Sequence, residues 1–198
     1  SLIAAMAADH TGIGCEGVIL VRKSQKADFR MTFYNPDGTE AELCGNGSRC
    51  VAAFAKRIGA VKSNCMTFET GAGLVDAEIV DEGLVRVWMP EPKGRRYDCS
   101  AVCPEDGSMS VTGDYLVVGV PHFIVPVSNV TKVDVEKAGR ALRLSPEFAP
   151  NGTNVDFVQY IPPAKAIIRT YERGVEAESG ACGTGAVATA VAGVEAHG

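Results

Sequence analysis

Cys44-Gly45-Asn46-Gly47 and Cys182-Gly183-Thr184-Gly185 are the two stretches on which the reading of this chain turns. Each is a C-G-x-G turn that follows β-rich sequence and opens a helical pattern. After Cys44, the residues Val51, Ala52, Phe54, Ala55 and Ile58 recur at helical spacing and Gly59 ends the run. After Cys182 an alanine-rich helix is expected through about residue 195. A cysteine at such a helix start lies at the positive end of the dipole beside unpaired backbone N–H groups. That placement is expected to lower its pKa and raise its thiolate fraction. The same N–H groups can hold a carboxylate, and the glycines let the backbone come close to it. One such turn reads equally well as a buried thiol beside a tight bend. Two of them suit inversion at an α-carbon: one thiolate removes the proton and the other thiol returns one from the opposite face. A carboxylate held by the helix-start amides would stabilise the developing carbanion.

Outward from the turns, the chain reads as two similar halves, residues 1–90 and 91–198. A short helix at 2–9 leads to strands at 18–22 and 29–34, and Asn35-Pro36-Asp37-Gly38 is a strong turn signal. Strands at 66–69, 74–80 and 84–89 follow the first cysteine helix. The run at 90–96, with two prolines, a glycine and the charges of Lys93, Arg95 and Arg96, reads as a solvated connection. Beyond it strands are expected at 115–118, 123–127, 155–160 and 166–171, with a helix at 133–142. The fold class is α+β with mostly antiparallel sheets.

With 198 residues and 46% apolar content the chain can bury a substantial core. No apolar run reaches the roughly 18 residues of a membrane span, and the net charge of −5 argues against nucleic acid or an anionic membrane as a partner. Seven cysteines without a secretion signal favour free thiols in a reducing, cytoplasmic compartment. The pairs Cys44/Cys50 and Cys99/Cys103 are poorly spaced for zinc, and His10, His122 and His197 are scattered, so no metal is expected. Gly12-Ile13-Gly14-Cys15-Glu16-Gly17 matches G-x-G-x-x-G but precedes a strand instead of opening a helix. No phosphate cradle accompanies a Schiff-base lysine, so no pyridoxal phosphate or other cofactor is expected. Glu172 and Arg173 end a strand shortly before the second turn, where they could serve the distal amino and carboxylate groups of a substrate. His122 reads as a core or turn histidine or as a proton-handling group, a role open to Glu172 as well.

Residues 33–50, FYNPDGTEAELCGNGSRC, resemble the first signature of the diaminopimelate epimerase family, and residues 169–186, RTYERGVEAESGACGTGA, resemble the second. GTNVDFVQ at 152–159 also fits, so the resemblance covers nearly the whole chain. It implies two similar α/β domains, each a mainly antiparallel, barrel-like sheet around a central helix, with the active site between them. It implies epimerisation of LL-2,6-diaminopimelate to the meso isomer in lysine biosynthesis, by an isomerase that uses no pyridoxal phosphate. Cys44 and Cys182 become the acid/base pair. Asn35, Asn154, Glu172 and Arg173 become substrate-binding residues, with the amides of Gly45, Asn46, Gly183 and Thr184 on the reacting carboxylate. A homodimer is the assembly considered. Where the family has Gly-Asn-Pro-His, this chain reads Gly119-Val120-Pro121-His122 and lacks the asparagine. Against the family pattern the chain is expected to be truncated at both ends. Two other readings stand beside this one: a racemase of another amino acid on the same fold, and an amino-acid-binding protein without catalysis.

Overall fold

The computed structural model describes residues 1–102 and 110–197 and divides into two compact units, Ser1–Pro90 and Glu91–Gly198. The first unit runs α1 (Leu2–Ala7), β1 (Val18–Arg22), β2 (Phe29–Tyr34), β3 (Glu40–Ala41), α2 (Gly45–Arg57), β4 (Cys65–Thr70), β5 (Gly73–Asp81) and β6 (Leu84–Trp88). Its sheet has the order β1-β2-β4-β5-β6, with β3 on β2. Neighbours are antiparallel except β2 and β4, and a parallel pair requires a crossover. That crossover contains β3 and α2. One edge of β2 is shared: Phe29 and Arg30 pair with β4, Phe33 and Tyr34 with β3. The chain leaving β3 turns at Cys44 and lays α2 against β1, β5 and β6, strands from both ends of the sheet order. The sheet therefore curls around α2. Val51, Ala52 and Ala55 of that helix meet Phe29, Met31, Phe68 and Val75 in one core. Register partners Phe29 and Phe68 stack with centroids 5.1 Å apart, and each fully buried ring contributes about 1.5–3 kcal/mol.

The second unit runs β7 (Lys93–Val102), β8 (Ser110–Val118), β9 (Val120–Pro126), α3 (Val135–Arg143), β10 (Asn154–Ile161), β11 (Lys165–Glu172), β12 (Ala177–Ser179) and α4 (Gly183–His197). Its order is β12-β11-β10-β9-β8-β7, again antiparallel except for one pair, β9 and β10, whose crossover carries α3. A hairpin, a short third strand, a C-G-x-G turn and a helix thus occur in both units, as β1-β2-β3-α2 and as β10-β11-β12-α4. Strand alternation sorts the faces of β10. Val155 and Phe157 join Val135 and Leu142 of α3 in the second core, while Asp156 points to the other face, where α4 packs on β8 to β11.

The expected elements are present with shifted ends, and three strands are additional. β3 and β12 are too short to show alternation. β7 overturns the expected loop at 90–96: from Lys93 onward the basic run is an edge strand, with register shifts either side of Arg96. Arg96 stacks over Tyr115, 4.3 Å from the ring centroid, and pairs with Glu147. Gly12 and Gly17 of the G-x-G-x-x-G run serve packing, since a Cβ at Gly12 would lie 2.2 Å from the Ala5 carbonyl oxygen and one at Gly17 2.4 Å from the Phe33 ring, while Gly14 takes a positive φ of 72°. Among the described residues no helix is long and apolar enough to cross a membrane.

Candidate active site

Each unit holds one cysteine as the N-cap of its central helix. Cys44 sits in extended backbone, φ −127° and ψ 112°, and its Sγ accepts the Gly47 N–H at 3.3 Å. Cys182 does the same: its Sγ accepts the Gly185 N–H at 3.4 Å. The sulfur takes the place that a serine or aspartate oxygen has in an ordinary N-cap. The carbonyls of both cysteines accept the next helical amide, from Ser48 at 2.8 Å and from Ala186 at 3.0 Å. The last glycine of each motif is explained by packing. A Cβ at Gly47 would approach Ile19 and Met31 to 3.1 Å, and one at Gly185 would lie 2.7 Å from Asp156 Oδ1. Hence the glycine at the fourth position of each motif.

Around Cys44, Asn46 accepts a hydrogen bond from Arg49, and Ser48 Oγ donates to the Cys44 carbonyl at 2.9 Å. Asn35 closes the turn between β2 and β3: its Nδ2 donates to Thr39 Oγ1 at 3.0 Å and its N–H to the Thr39 carbonyl at 2.8 Å. Asp37 accepts from the Thr39 hydroxyl and amide, bonds that hold its carboxyl below the usual range.

Around Cys182 the surroundings are different. Its sulfur lies 3.5 Å from Thr184 Oγ1, which is 2.9 Å from His122 Nε2. His122 Nδ1 is 2.7 Å from Asp156 Oδ2, and Asp156 Oδ1 accepts the Thr170 hydroxyl at 2.6 Å. Thr170, Asp156, His122 and Thr184 are all buried. Glu172 stands half-buried at the end of β11 with Arg173 next to it. Asn154 Oδ1 accepts the Arg173 N–H and its Nδ2 donates to the Pro121 carbonyl, both at 2.8 Å. Asn154 thus ties down the residue before His122 and the residue after Glu172. The Arg173 guanidinium reaches the Asn151 carbonyl at 3.5 Å.

Burial pushes the Cys182 thiol up to about 12, the negative charges of Asp156 and Glu172 add to the rise, and the bonds from Thr184 and Gly185 oppose it. This reverses the expectation of a lowered pKa at this helix start. A helix terminus is worth about 0.3–1 kcal/mol to a charge, whereas burial shifts a pKa by as much as about 3–5 units. At neutral pH Cys182 is therefore protonated. An alkylating reagent at pH 8 should label the exposed Cys50 and Cys65 well ahead of Cys182, followed peptide by peptide in a mass spectrometer. Cys182 reacting first would show that burial does not dominate.

Asp156 and Thr170 were absent from the sequence reading. The available signal was a lone carboxylate in Val155-Asp156-Phe157-Val158, a stretch otherwise apolar and buried, where an unpaired charge is costly. All six cysteines outside 103–109 are free thiols, and among the described residues no group of three or more His, Cys, Asp or Glu could hold a metal ion. Cys103 lies outside the described residues.

The model of the family described as diaminopimelate epimerase matches residues 1–93 and 115–198. The chain belongs to the diaminopimelate epimerase family. It is 45% identical over 190 residues to the diaminopimelate epimerase of Aquifex aeolicus, which covers 92% of this chain and 64% of that protein. To the diaminopimelate epimerase of a Hydrogenobaculum species it is 42% identical, over 92% of this chain and 66% of that one. The chain thus spans slightly under two thirds of the length of these relatives. Among solved structures, a hydroxyproline epimerase from Agrobacterium vitis, with trans-4-hydroxy-L-proline bound, superposes with a TM-score of 0.73 at 19% identity, covering 99% of this chain and 65% of that one. A probable proline racemase from Agrobacterium radiobacter K84 gives 0.65 at 20% identity, over 85% and 57%. At such identities the likeness is one of fold. It places the diaminopimelate epimerase family chain in an α+β architecture of two sheet-based domains, as its signatures imply.

Proposed function

We propose that this protein epimerises LL-2,6-diaminopimelate to the meso isomer without a cofactor, with Cys44 and Cys182 as the two acid/base groups. The observation that carries this reading is the matched pair of sulfur-capped helices, one in each unit, in a chain of the diaminopimelate epimerase family. One sulfur, as thiolate, takes the α-hydrogen; the other, as thiol, donates its proton to the opposite face of the carbanion. The helix-start amides of Gly45, Asn46, Gly183 and Thr184 hold the reacting carboxylate, where charge builds up. Glu172 and Arg173 meet the distal amino and carboxylate groups. Asn35 and Asn154 complete the set of substrate-binding residues. The reaction belongs to lysine biosynthesis in the cytoplasm, which suits a chain rich in free thiols. A homodimer is the assembly proposed, and light scattering tests it.

Two bases leave an isotopic signature. In deuterated water the intact protein, sampled early from the LL isomer, should give meso product with deuterium at the inverted carbon while recovered substrate stays largely protiated. One shared base would return the original hydrogen to the product, and substantial protium there would end the two-thiol reading. Val120, half-buried at the start of β9, favours a second reading in which the same thiols invert a different amino acid. Turnover of single-centre amino acids, with LL-diaminopimelate left untouched, would select it.

A further inference from the structure

The turn that joins β11 to β12 holds two residues in left-handed backbone, Gly174 at φ 92° and Glu176 at φ 60°, directly after the Glu172–Arg173 pair. Glycine meets that conformation without a Cβ clash. A glutamate does not, so Glu176 persists there only because its surroundings over-determine it. Its N–H donates to the Glu172 carbonyl and its carbonyl accepts the Tyr171 hydroxyl, both at 2.9 Å. Its Oε1 gathers three donors: the Gly174 N–H at 2.9 Å, Arg143 Nε at 2.7 Å and a terminal nitrogen of Arg143 at 2.6 Å. Arg143 is the last residue of α3, and its carbonyl accepts the Thr153 N–H at 3.1 Å. Next to Thr153 stands Asn154, whose Oδ1 accepts the Arg173 N–H at 2.8 Å. The contacts therefore close a ring from Arg143 through Thr153, Asn154, Arg173, Gly174 and Glu176 back to the Arg143 guanidinium. Tyr171 seats the ring on α3, where a Cβ at Gly139 would lie 2.3 Å from Tyr171 Cβ.

We infer that Glu176 is a positioning residue that sets the Glu172–Arg173 turn for the distal end of the substrate, with Arg143 as its anchor on α3. The inference rests on the proposed function, in which Glu172 and Arg173 meet the distal amino and carboxylate groups. The Glu172 carbonyl and the Arg173 N–H are both bonded within this network, so the direction in which the two side chains leave the backbone is set before a ligand arrives. A preset pair of opposite charges receives an amino and a carboxylate group at a smaller cost in conformational entropy than a mobile pair does. An ordinary surface ion pair between Arg143 and Glu176 would ask for none of this. It would neither force a glutamate into left-handed backbone nor spend the same oxygen on the amide two residues earlier. Arg143 suits the anchor, because its planar guanidinium meets Oε1 through two nitrogens and its side chain is only 16% exposed.

The test joins a readout that needs no substrate to kinetics, both on the intact protein. Glu176→Gly removes the carboxylate while accepting the left-handed backbone, so a loosened turn is not confused with added strain. Trypsin cleavage at Arg173–Gly174, mapped by peptide mass spectrometry, should quicken by about tenfold or more, because cleavage follows local opening. KM for LL-diaminopimelate should rise by about tenfold, with kcat within about threefold of native. Glu176→Gln keeps an oxygen acceptor in place and should stay within about threefold of native in cleavage and in KM. A glycine variant that melts earlier yet shows native cleavage and native KM would leave the ring a structural role and overturn the inference. So would a fall in kcat with KM unchanged, which would put the effect at the reacting carbon. Should Glu176→Gly fail to fold, Arg143→Met replaces it: faster cleavage at Arg173–Gly174 is again expected, and the native rate would overturn the inference. If the native protein leaves LL-diaminopimelate untouched, it is the functional reading that fails, and the cleavage rate still decides whether Glu176 orders the turn.

Discussion

Cys44→Ala and Cys182→Ala should each lower epimerisation by at least about 10²–10⁴-fold, the range that one positioned acid or base contributes. Neither change should unfold the protein. Each sulfur caps its helix through a single long contact, 3.3 Å from the Gly47 amide and 3.4 Å from the Gly185 amide. Losing an N-cap costs about 0.5–2 kcal/mol, a fraction of the stability of a domain. The expected signature is a collapse of kcat with a modest change in melting temperature, and a double mutant hardly worse than either single one, because both thiols act in one event. A cysteine-to-alanine protein that epimerises at the native rate would end the assignment for that residue.

Gly185→Ala should be nearly as damaging by another route. The added methyl would lie 2.7 Å from Asp156 Oδ1 and 3.2 Å from Cys182 Sγ, so either the helix start or the carboxylate must move. Overpacking of this kind costs about 1–3 kcal/mol. Because both atoms in the way belong to the Cys182 chain of contacts, kcat/KM is expected to fall about 10²-fold as well. Gly47→Ala should be milder, since its methyl would press on the ends of the Ile19 and Met31 side chains at 3.1 Å, which can give way, and would touch Cys44 Cβ at an ordinary contact distance of 3.4 Å. Gly180→Ala, with no heavy atom within 4 Å, is the control and should leave both stability and rate unaltered. Equal losses at 47, 180 and 185 would show that the contact with Asp156 carries no weight.

Much of this was legible in the residues, for definite reasons. Helical spacing after Cys44 and the alanine-rich run after Cys182 marked α2 and α4, and the two C-G-x-G turns gave the caps their place. The strands whose alternation was interrupted were harder. β7 begins in Lys93-Gly94-Arg95-Arg96, a run whose charges signal a loop, yet an edge strand tolerates them because one side is solvated. Cys182 was misjudged in sign because a helix dipole can be read from sequence while burial and the distance to Asp156 cannot. The bonds of the Asn154 amide to the Pro121 carbonyl and the Arg173 N–H were not legible, because nothing in GTNVDFVQ reveals which backbone groups lie beside it. Contacts between β9, β10 and β11 depend on pairing, which a single sequence does not disclose.

The pairing itself has a consequence for folding fidelity. Asp156 lies directly opposite Thr170 in the β10–β11 hairpin, and Asn154 opposite His122 in the parallel pair. A slip of one residue in either pairing would turn Asp156 toward Val135 and Leu142, among apolar side chains with no partner for its charge. The apolar residues of β10 would accept that slip far more readily, since the strand is buried on both faces and offers valine or phenylalanine to either side. The carboxylate therefore serves as an alignment key for the sheet. Thr170 reaches it through a local hairpin, whereas His122 reaches it only after the longer β9–β10 crossover has closed, so the two partners of the carboxylate differ in the length of chain that must be ordered to bring them there.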